Sequence, residues 1–162
     1  MIFLRAICLL FLTVYALHPL PPRQELESVK LVNLTDTFSP WSLRVRSDCT
    51  VTWDNSSSGY LLFNPERVRQ DGRIDEALCN RLFGAVVTHG YAKERPLEGV
   101  ELAMKLLIFP REGKWFANHG PNTYGEEKDV AAFAEIERYF AEAAAALDIE
   151  IPRFYREYDT ND

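Results

Sequence analysis

The chain has 162 residues and an acidic composition, because 18 Lys and Arg stand against 24 Asp and Glu and give a net charge of −6. This length fits one domain. With 12% aromatic and 26% charged residues, the composition excludes a disordered or fibrous protein. The basic residues are scattered among more numerous acidic ones, so no Lys/Arg cluster predicts binding to nucleic acid.

The N-terminus predicts export. Arg5 precedes an uncharged stretch over residues 6–17, and a proline-rich segment follows it. As a helix this stretch would be about 18 Å long, too short for a hydrocarbon layer of about 30 Å. A signal peptide therefore fits better than a membrane-spanning helix. We predict cleavage after Ala16, a periplasmic or secreted protein, and no stable membrane span after cleavage.

The cysteines fit an exported protein. Cleavage would remove Cys8 and leave an even pair, Cys49 and Cys79. The run from Trp41 to Asp54 alternates apolar and polar residues, which predicts one long strand with Cys49 on its buried side. Cys79 shares the apolar side of a helix predicted from Ile74 to His89. Both sulfur atoms then point toward the core, and in an oxidising compartment we predict a Cys49–Cys79 disulfide.

Periodicity and turn residues predict the other elements. These are an irregular lead-in at 17–27, strands at Val29–Leu34, Tyr60–Phe63, Val100–Phe109 and Lys114–Ala117, a helix start at Asn64–Glu66, a turn at Asp71–Gly72, and a last helix that ends near Asp148. The turn cluster Asn55–Gly59 predicts a hairpin between the long strand and Tyr60–Phe63.

The last helix is amphipathic, since Phe133, Ile136 and Phe140 share one arc and are predicted to be buried against the sheet. The resulting order is β-β-β-α-β-β-α without a parallel βαβ rhythm. It predicts an α+β domain, a mainly antiparallel sheet with two main helices on one face and one disulfide. The predicted layout is a signal peptide at 1–16, the lead-in at 17–27 and a single domain at 28–162.

Catalytic motifs are absent from the sequence. It contains no P-loop, no G-x-G-x-x-G, no G-x-S-x-G and no H-E-x-x-H. ATP, NAD and zincin chemistry are therefore disfavoured, and we predict no cofactor. A metal site built from His89, His119 and a carboxylate has no short ligand spacing to support it.

The loop predicted over residues 118–125 is the strongest candidate for a binding site. It combines Gly, Pro, Asn, a hydroxyl and a phenol after a Trp-Phe strand, and polar groups on loops often bind ligands. The predicted binding residues are Trp115, His119, Asn122 and Tyr124. The same composition is also typical of a plain long turn. His89 is expected to be a helix C-terminal histidine.

A cysteine nucleophile is disfavoured, because Cys49 and Cys79 both sit on apolar faces whereas a reactive thiolate needs an electropositive, partly exposed site. The leading hypothesis is a small exported acidic binding protein, an inhibitor or immunity-type protein that acts on a secreted or periplasmic protein. Its acidity favours a basic partner. The alternatives are an exported hydrolase that uses His119 as its candidate catalytic residue with a nearby carboxylate, and a structural envelope-associated domain.

Overall fold

The computed structural model describes residues 22–33, 41–55, 69–95, 104–120 and 127–149. The predicted signal peptide lies outside these ranges. In chain order the elements are α1 (Pro22–Glu25), β1 (Leu26–Asn33), β2 (Trp41–Arg46), β3 (Thr50–Asp54), β4 (Arg69–Arg73), α2 (Glu76–Thr88), β5 (Met104–Pro110), β6 (Phe116–His119) and α3 (Glu127–Ala145). Among the described helices, none is long and apolar enough to cross a bilayer.

The strands form one antiparallel sheet in the order β4-β3-β2-β1-β5-β6. The first four strands are consecutive neighbours, and β5 then adds to the other side of β1. This arrangement confirms the predicted α+β class with an antiparallel sheet. The order of elements along the chain differs from the prediction. After the short helix α1 it is β-β-β-β-α-β-β-α, with one more strand ahead of α2 than predicted.

The long alternating run is two strands instead of one. β2 ends at Arg46, and the chain turns back through Ser47 and Asp48, with the Cys49 amide donating to the Arg46 carbonyl at 2.8 Å. β3 then pairs with β2 so that Trp53 lies opposite Leu43 and Val51 opposite Val45. Apolar residues on both sides of the turn therefore face the same side of the sheet. The alternation predicted the faces correctly but missed the turn.

The predicted turn at Asp71–Gly72 is wrong, because both residues lie within β4. Gly72 lies against the Leu147 side chain, whose end would have to shift to make room for a Cβ atom at this position. Gln70 adds a contact, its Nε2 donating to the Leu147 carbonyl at 2.7 Å. The end of the helical layer thus packs directly on an edge strand.

Other boundaries also shift. The lead-in is not irregular throughout, because α1 and the start of β1 lie within it. β5 is described from Met104 to Pro110, and β6 covers Phe116–His119 instead of Lys114–Ala117. His119 therefore lies in a strand and not in a loop. The predicted strand Tyr60–Phe63 and the helix start at Asn64–Glu66 lie outside the described residues.

The hydrophobic core lies between one face of the sheet and the helices α2 and α3. Phe133, Ile136 and Phe140 are all buried, which confirms the predicted face of the last helix. α2 presents its predicted apolar side, and Asp75 caps its N-terminus by accepting a hydrogen bond from the Leu78 amide at 2.8 Å. We call this covered side of the sheet the inner face and the opposite side the outer face.

Asn118 ties β6 to the segment that follows α2. Its side chain is buried, and its Nδ2 donates to the carbonyls of Tyr91 at 2.7 Å and Lys93 at 2.9 Å. Its Oδ1 accepts from the Arg95 amide at 2.9 Å. One side chain thus satisfies three backbone groups and fixes the strand that carries His119.

Replacing Asn118 with Ala is expected to lower the free energy of unfolding by about 1–3 kcal/mol, because buried backbone groups lose their partners. Amide hydrogen exchange provides the measurement, with faster exchange expected at Arg95. Asn118→Asp is the control, since it keeps the acceptor for that amide while it removes both donors. Equal protection of Arg95 in Asn118→Ala and in the parent would contradict this role.

Candidate outer-face binding site

The outer face is built from cross-strand rows of polar and basic side chains. Register places Asp71, Thr52, Arg44 and Lys30 side by side across β4, β3, β2 and β1. Because alternate residues of a strand point to opposite faces, these side chains share the side opposite the helices. The basic residues of the outer face outnumber its acidic ones. They are Lys30, Arg44, Arg46, Arg69, Arg73 and Lys105, against Glu27, Asp54 and Asp71 on the strands.

Some of these charges are already paired. Arg44 lies 3.3 Å from Glu27, beside the irregularity at the start of β1, and Arg69 lies 3.4 Å from Asp71. Thr52 donates to Asp71 at 2.6 Å, and this hydrogen bond lowers the pKa of the Asp71 carboxyl. Lys30 and Lys105 have no recorded hydrogen-bond or ion-pair partner within the described ranges.

The helical layer has the opposite character. Acidic residues predominate on α2, α3 and the residues that flank them within the described ranges: Asp75, Glu76, Glu127, Asp129, Glu135, Glu137, Glu142 and Asp148, against Arg81, Lys128 and Arg138. The net negative charge is therefore distributed unevenly. The protein has a basic outer face and an acidic helical side.

An aromatic cluster lies at one end of the outer face. Trp115 is 60% exposed, and its ring stacks on Phe109 with a centroid distance of 6.3 Å. The guanidinium of Arg44 lies over the same Phe109 ring, 4.3 Å from its centroid. Arg44 is held there because its Nε donates to the Ser28 hydroxyl at 2.9 Å. We call Trp115, Phe109 and Arg44 the aromatic cluster.

Burial separates the three tryptophans. Trp41 and Trp53 are buried and stack at 5.0 Å, as predicted for core residues. Trp115 lies just before β6 and is the large exposed hydrophobic residue of the described chain. An exposed Trp next to an Arg is a composition typical of binding surfaces.

His119 faces the same side of the sheet as Trp115. The two residues are four positions apart along an extended segment, about 13 Å, and His119 lies opposite Lys105. Burial, and then the charge of Lys105, lower the pKa of His119, so its neutral form is favoured. Its Nδ1 is buried and has no hydrogen-bond partner. Asn122 and Tyr124, the other predicted binding residues, lie outside the described ranges.

His89 occupies the predicted helix C-terminal position and links the two long helices. It is the C-cap of α2, and its Nε2 lies 2.7 Å from Oε2 of Glu135 on α3. Tyr139 donates to the other oxygen of Glu135 at 3.1 Å. The hydrogen bond with His89, and next that with Tyr139, lower the pKa of Glu135. This group belongs to the packing of α2 on α3.

The cysteines are buried as predicted, and they are close to each other. Cys49 is 1% exposed and Cys79 is 0% exposed. The two residues approach to 2.6 Å, and both are free cysteines. Sequence reasoning missed a charged neighbour. Arg23 in α1 donates from Nη1 to the sulfur of Cys49 at 3.3 Å. The premise that both thiols lie in purely apolar surroundings is therefore wrong.

The described residues contain no group of three His, Cys, Asp or Glu that could hold a metal ion. The sequence matches no protein-family model, and a search of curated proteins finds no significant relative. Functional inference therefore depends on the geometry of this chain.

Proposed function

We propose that this protein is a small exported binding protein, an inhibitor or immunity-type protein whose outer face contacts an acidic surface on a secreted or periplasmic protein. The observation that carries this proposal is the exposed Trp115, stacked on Phe109 within a basic face. In protein interfaces, Trp and Arg contribute a disproportionate share of the binding energy. The aromatic cluster supplies the anchor, and the basic rows supply charge complementarity.

The charge of the contact patch matters more than the net charge of the chain. At physiological ionic strength the Debye length is about 8 Å, so charges on the far helical side are largely screened from a partner on the outer face. Net charge alone favoured a basic partner. The distribution of charges instead favours a partner with an acidic patch, which Lys30 and Lys105 on the outer face would contact.

Export and the disulfide are parts of the same proposal. In an oxidising compartment a cross-link between Cys49 and Cys79 would join the β2–β3 turn to the first turns of α2. A cross-link of this kind stabilises a small exported domain by about 3–4 kcal/mol in the chain-entropy model. A stable scaffold suits a protein that presents a rigid flat face.

The outer face supports the hydrolase alternative less well. Within the described ranges, no carboxylate hydrogen-bonds to His119, whose cross-strand neighbour is the cationic Lys105. A general base needs a second group that orients it. A structural role without any ligand leaves the exposed aromatic cluster without an explanation. Binding is the function that uses both the charge and the aromatic surface.

The test is affinity co-purification of the natively exported protein, followed by quantitative binding to the protein it captures. Trp115→Ala is expected to weaken binding by at least about tenfold, as a central anchor would. Lys30→Glu with Lys105→Glu is expected to weaken it further and to reverse its salt dependence. Trp115 is mostly exposed, so folding is expected to be retained.

The matched control is Arg138→Glu, a charge reversal at an exposed site on the helical side. It is expected to leave affinity unchanged. A partner that binds all outer-face variants as tightly as the parent would refute the proposed surface. A protein that elutes alone from its native compartment would refute the binding function.

A further inference from the structure

Cys49 lies in a backbone conformation that is unusual for its residue type. Its φ is +67°, in the left-handed region that favours Gly or Asn. It ends the tight turn between β2 and β3, and its carbonyl accepts from the Ile74 amide at 3.1 Å, just ahead of α2. Strained positions of this kind are concentrated at functional sites. The conformation presents the sulfur atom to Cys79 instead of to solvent.

One charged residue, Arg23, interacts with both members of the pair. Arg23 from α1 donates to the sulfur of Cys49 at 3.3 Å, and its hydrogen bond and charge also act on Cys79. The sulfur of Cys79 also lies 3.8 Å from the backbone carbonyl of Arg46. Glu76 from α2 lies behind the guanidinium at 3.7 Å. Asp48, the neighbour of Cys49 in the turn, is occupied by hydrogen bonds from Thr50.

Burial, and then the hydrogen bond and charge of Cys49, raise the pKa of Cys79 to about 12, while the hydrogen bond and charge of Arg23 act in the opposite direction. Arg23 also supplies a hydrogen-bond donor to the sulfur of Cys49. A thiolate next to an Arg is the microenvironment of reactive cysteines.

We propose that Arg23, through its hydrogen bond to the sulfur of Cys49, stabilises the reduced form of the Cys49–Cys79 pair and makes it a reversible redox couple instead of a permanent cross-link. This inference rests on the cross-link proposed above and adds its regulation. Stabilising the reduced form of a dithiol makes its disulfide easier to reduce. Arg23 is a positioning residue, because it acts through the sulfur of Cys49.

The chemistry is thiol–disulfide exchange with a small-molecule or protein disulfide as the oxidant. Cys49 loses its proton, and its thiolate attacks one sulfur of the oxidant, whose S–S bond breaks and releases one thiolate. Cys79 then loses its proton, and its thiolate attacks the Cys49 sulfur of the mixed disulfide and releases the second thiolate. Two electrons and two protons pass from the protein dithiol to the oxidant, which becomes two thiols.

Oxidation also changes what holds α1 in place. Once the disulfide forms, Arg23 loses its hydrogen bond to the free sulfur of Cys49 and keeps the ion pair with Glu76, whose side chain is largely exposed. Ion pairs of this kind contribute little. α1 is therefore held more weakly in the oxidised protein than in the reduced one. The redox state of the pair is coupled to the segment that precedes β1.

The experiment is an equilibrium titration of the full chain in glutathione buffers of stepped ratio. Intact mass counts the two hydrogens lost on oxidation. Both thiols are buried, so exchange takes place during local opening, and equilibrium is a better measure than rate. In Arg23→Gln we expect the disulfide to be favoured at least tenfold more than in the parent, a shift of about 30 mV to lower potential.

Two further variants make the result specific. Arg23→Lys keeps the positive charge and is expected to restore part of the parent equilibrium, while Arg81→Gln removes an equivalent charge from α2, away from the pair, and is expected to match the parent.

The outcomes separate the two proposals. If the parent loses no hydrogens in any buffer, the cross-link itself is refuted and the redox couple with it. If the parent is oxidised but Arg23→Gln follows the same titration, the cross-link stands and the role of Arg23 is refuted.

Discussion

Replacing Phe140 with Ala is expected to lower the free energy of unfolding by about 3–5 kcal/mol. Phe140 is completely buried on the face of α3 that packs against the sheet. Its removal deletes a large apolar side chain and leaves a cavity that the surrounding strands cannot close, because the interior is tightly packed. For a domain with a total stability of about 5–15 kcal/mol, this is a large fraction. Urea unfolding measures it.

The control for this prediction is Ala131→Ser, at an exposed position of the same helix. It is expected to cost at most about 0.5 kcal/mol, which is the difference in helix propensity. Equal unfolding midpoints for Phe140→Ala and Ala131→Ser would show that α3 does not pack as described.

Replacing Glu137 with Gln is expected to stabilise the protein above pH 7 by about 3 kcal/mol. Burial raises the pKa of Glu137 to about 7, whereas an unfolded chain has a Glu pKa of about 4.3. Between these two values the folded protein retains a proton that the unfolded chain has released. Stability of the parent therefore falls as pH rises from about 4.3 to 7. Gln removes this dependence, so the two proteins converge at low pH.

Urea unfolding at pH values from 4 to 8 checks this prediction. Glu142→Gln is the matched control, because its carboxylate is more exposed and pairs with Arg81 and Arg138 on the surface. Its substitution is expected to change stability by at most about 1 kcal/mol. Parallel stability curves for the parent and Glu137→Gln would contradict the burial of an uncompensated carboxyl group.

The sequence predicted those features that depend on local periodicity. The apolar arcs of α2 and α3 repeat every 3.6 residues, so the buried positions of Leu82 and Phe140 follow from pattern alone. The C-terminus of α2 was also predictable, because Gly90 adopts a φ of +75°, as expected just after a helix.

The strand boundaries depend on tertiary contacts and were harder to predict. The turn before Cys49 keeps the apolar and polar residues in phase, so alternation continues through it without a visible break. Gly72 resembles a turn residue in sequence, but it lies in β4 against the side chain of Leu147, which is distant in sequence. No local sequence pattern indicates such a contact.

The candidate site was predicted only in part. Trp115 was singled out because it lies beside the predicted loop, whereas the basic outer face comes from the register that aligns Lys30, Arg44 and Lys105 on neighbouring strands. The scattered basic residues of the sequence become a surface only after the strands pair. Arg23 was missed because its partner, Cys49, is distant in sequence.

The central position of β1 has a consequence for the order of folding. β1 to β4 pair with their immediate neighbours in the chain, whereas Leu31 also pairs with Leu106, far along the sequence. Closing a long loop costs more chain entropy than closing a hairpin, and pairing of distant segments is slow. The four-stranded meander is therefore expected to form first, and the arrival of β5 at the open edge of β1 is expected to limit the rate at which the domain is completed.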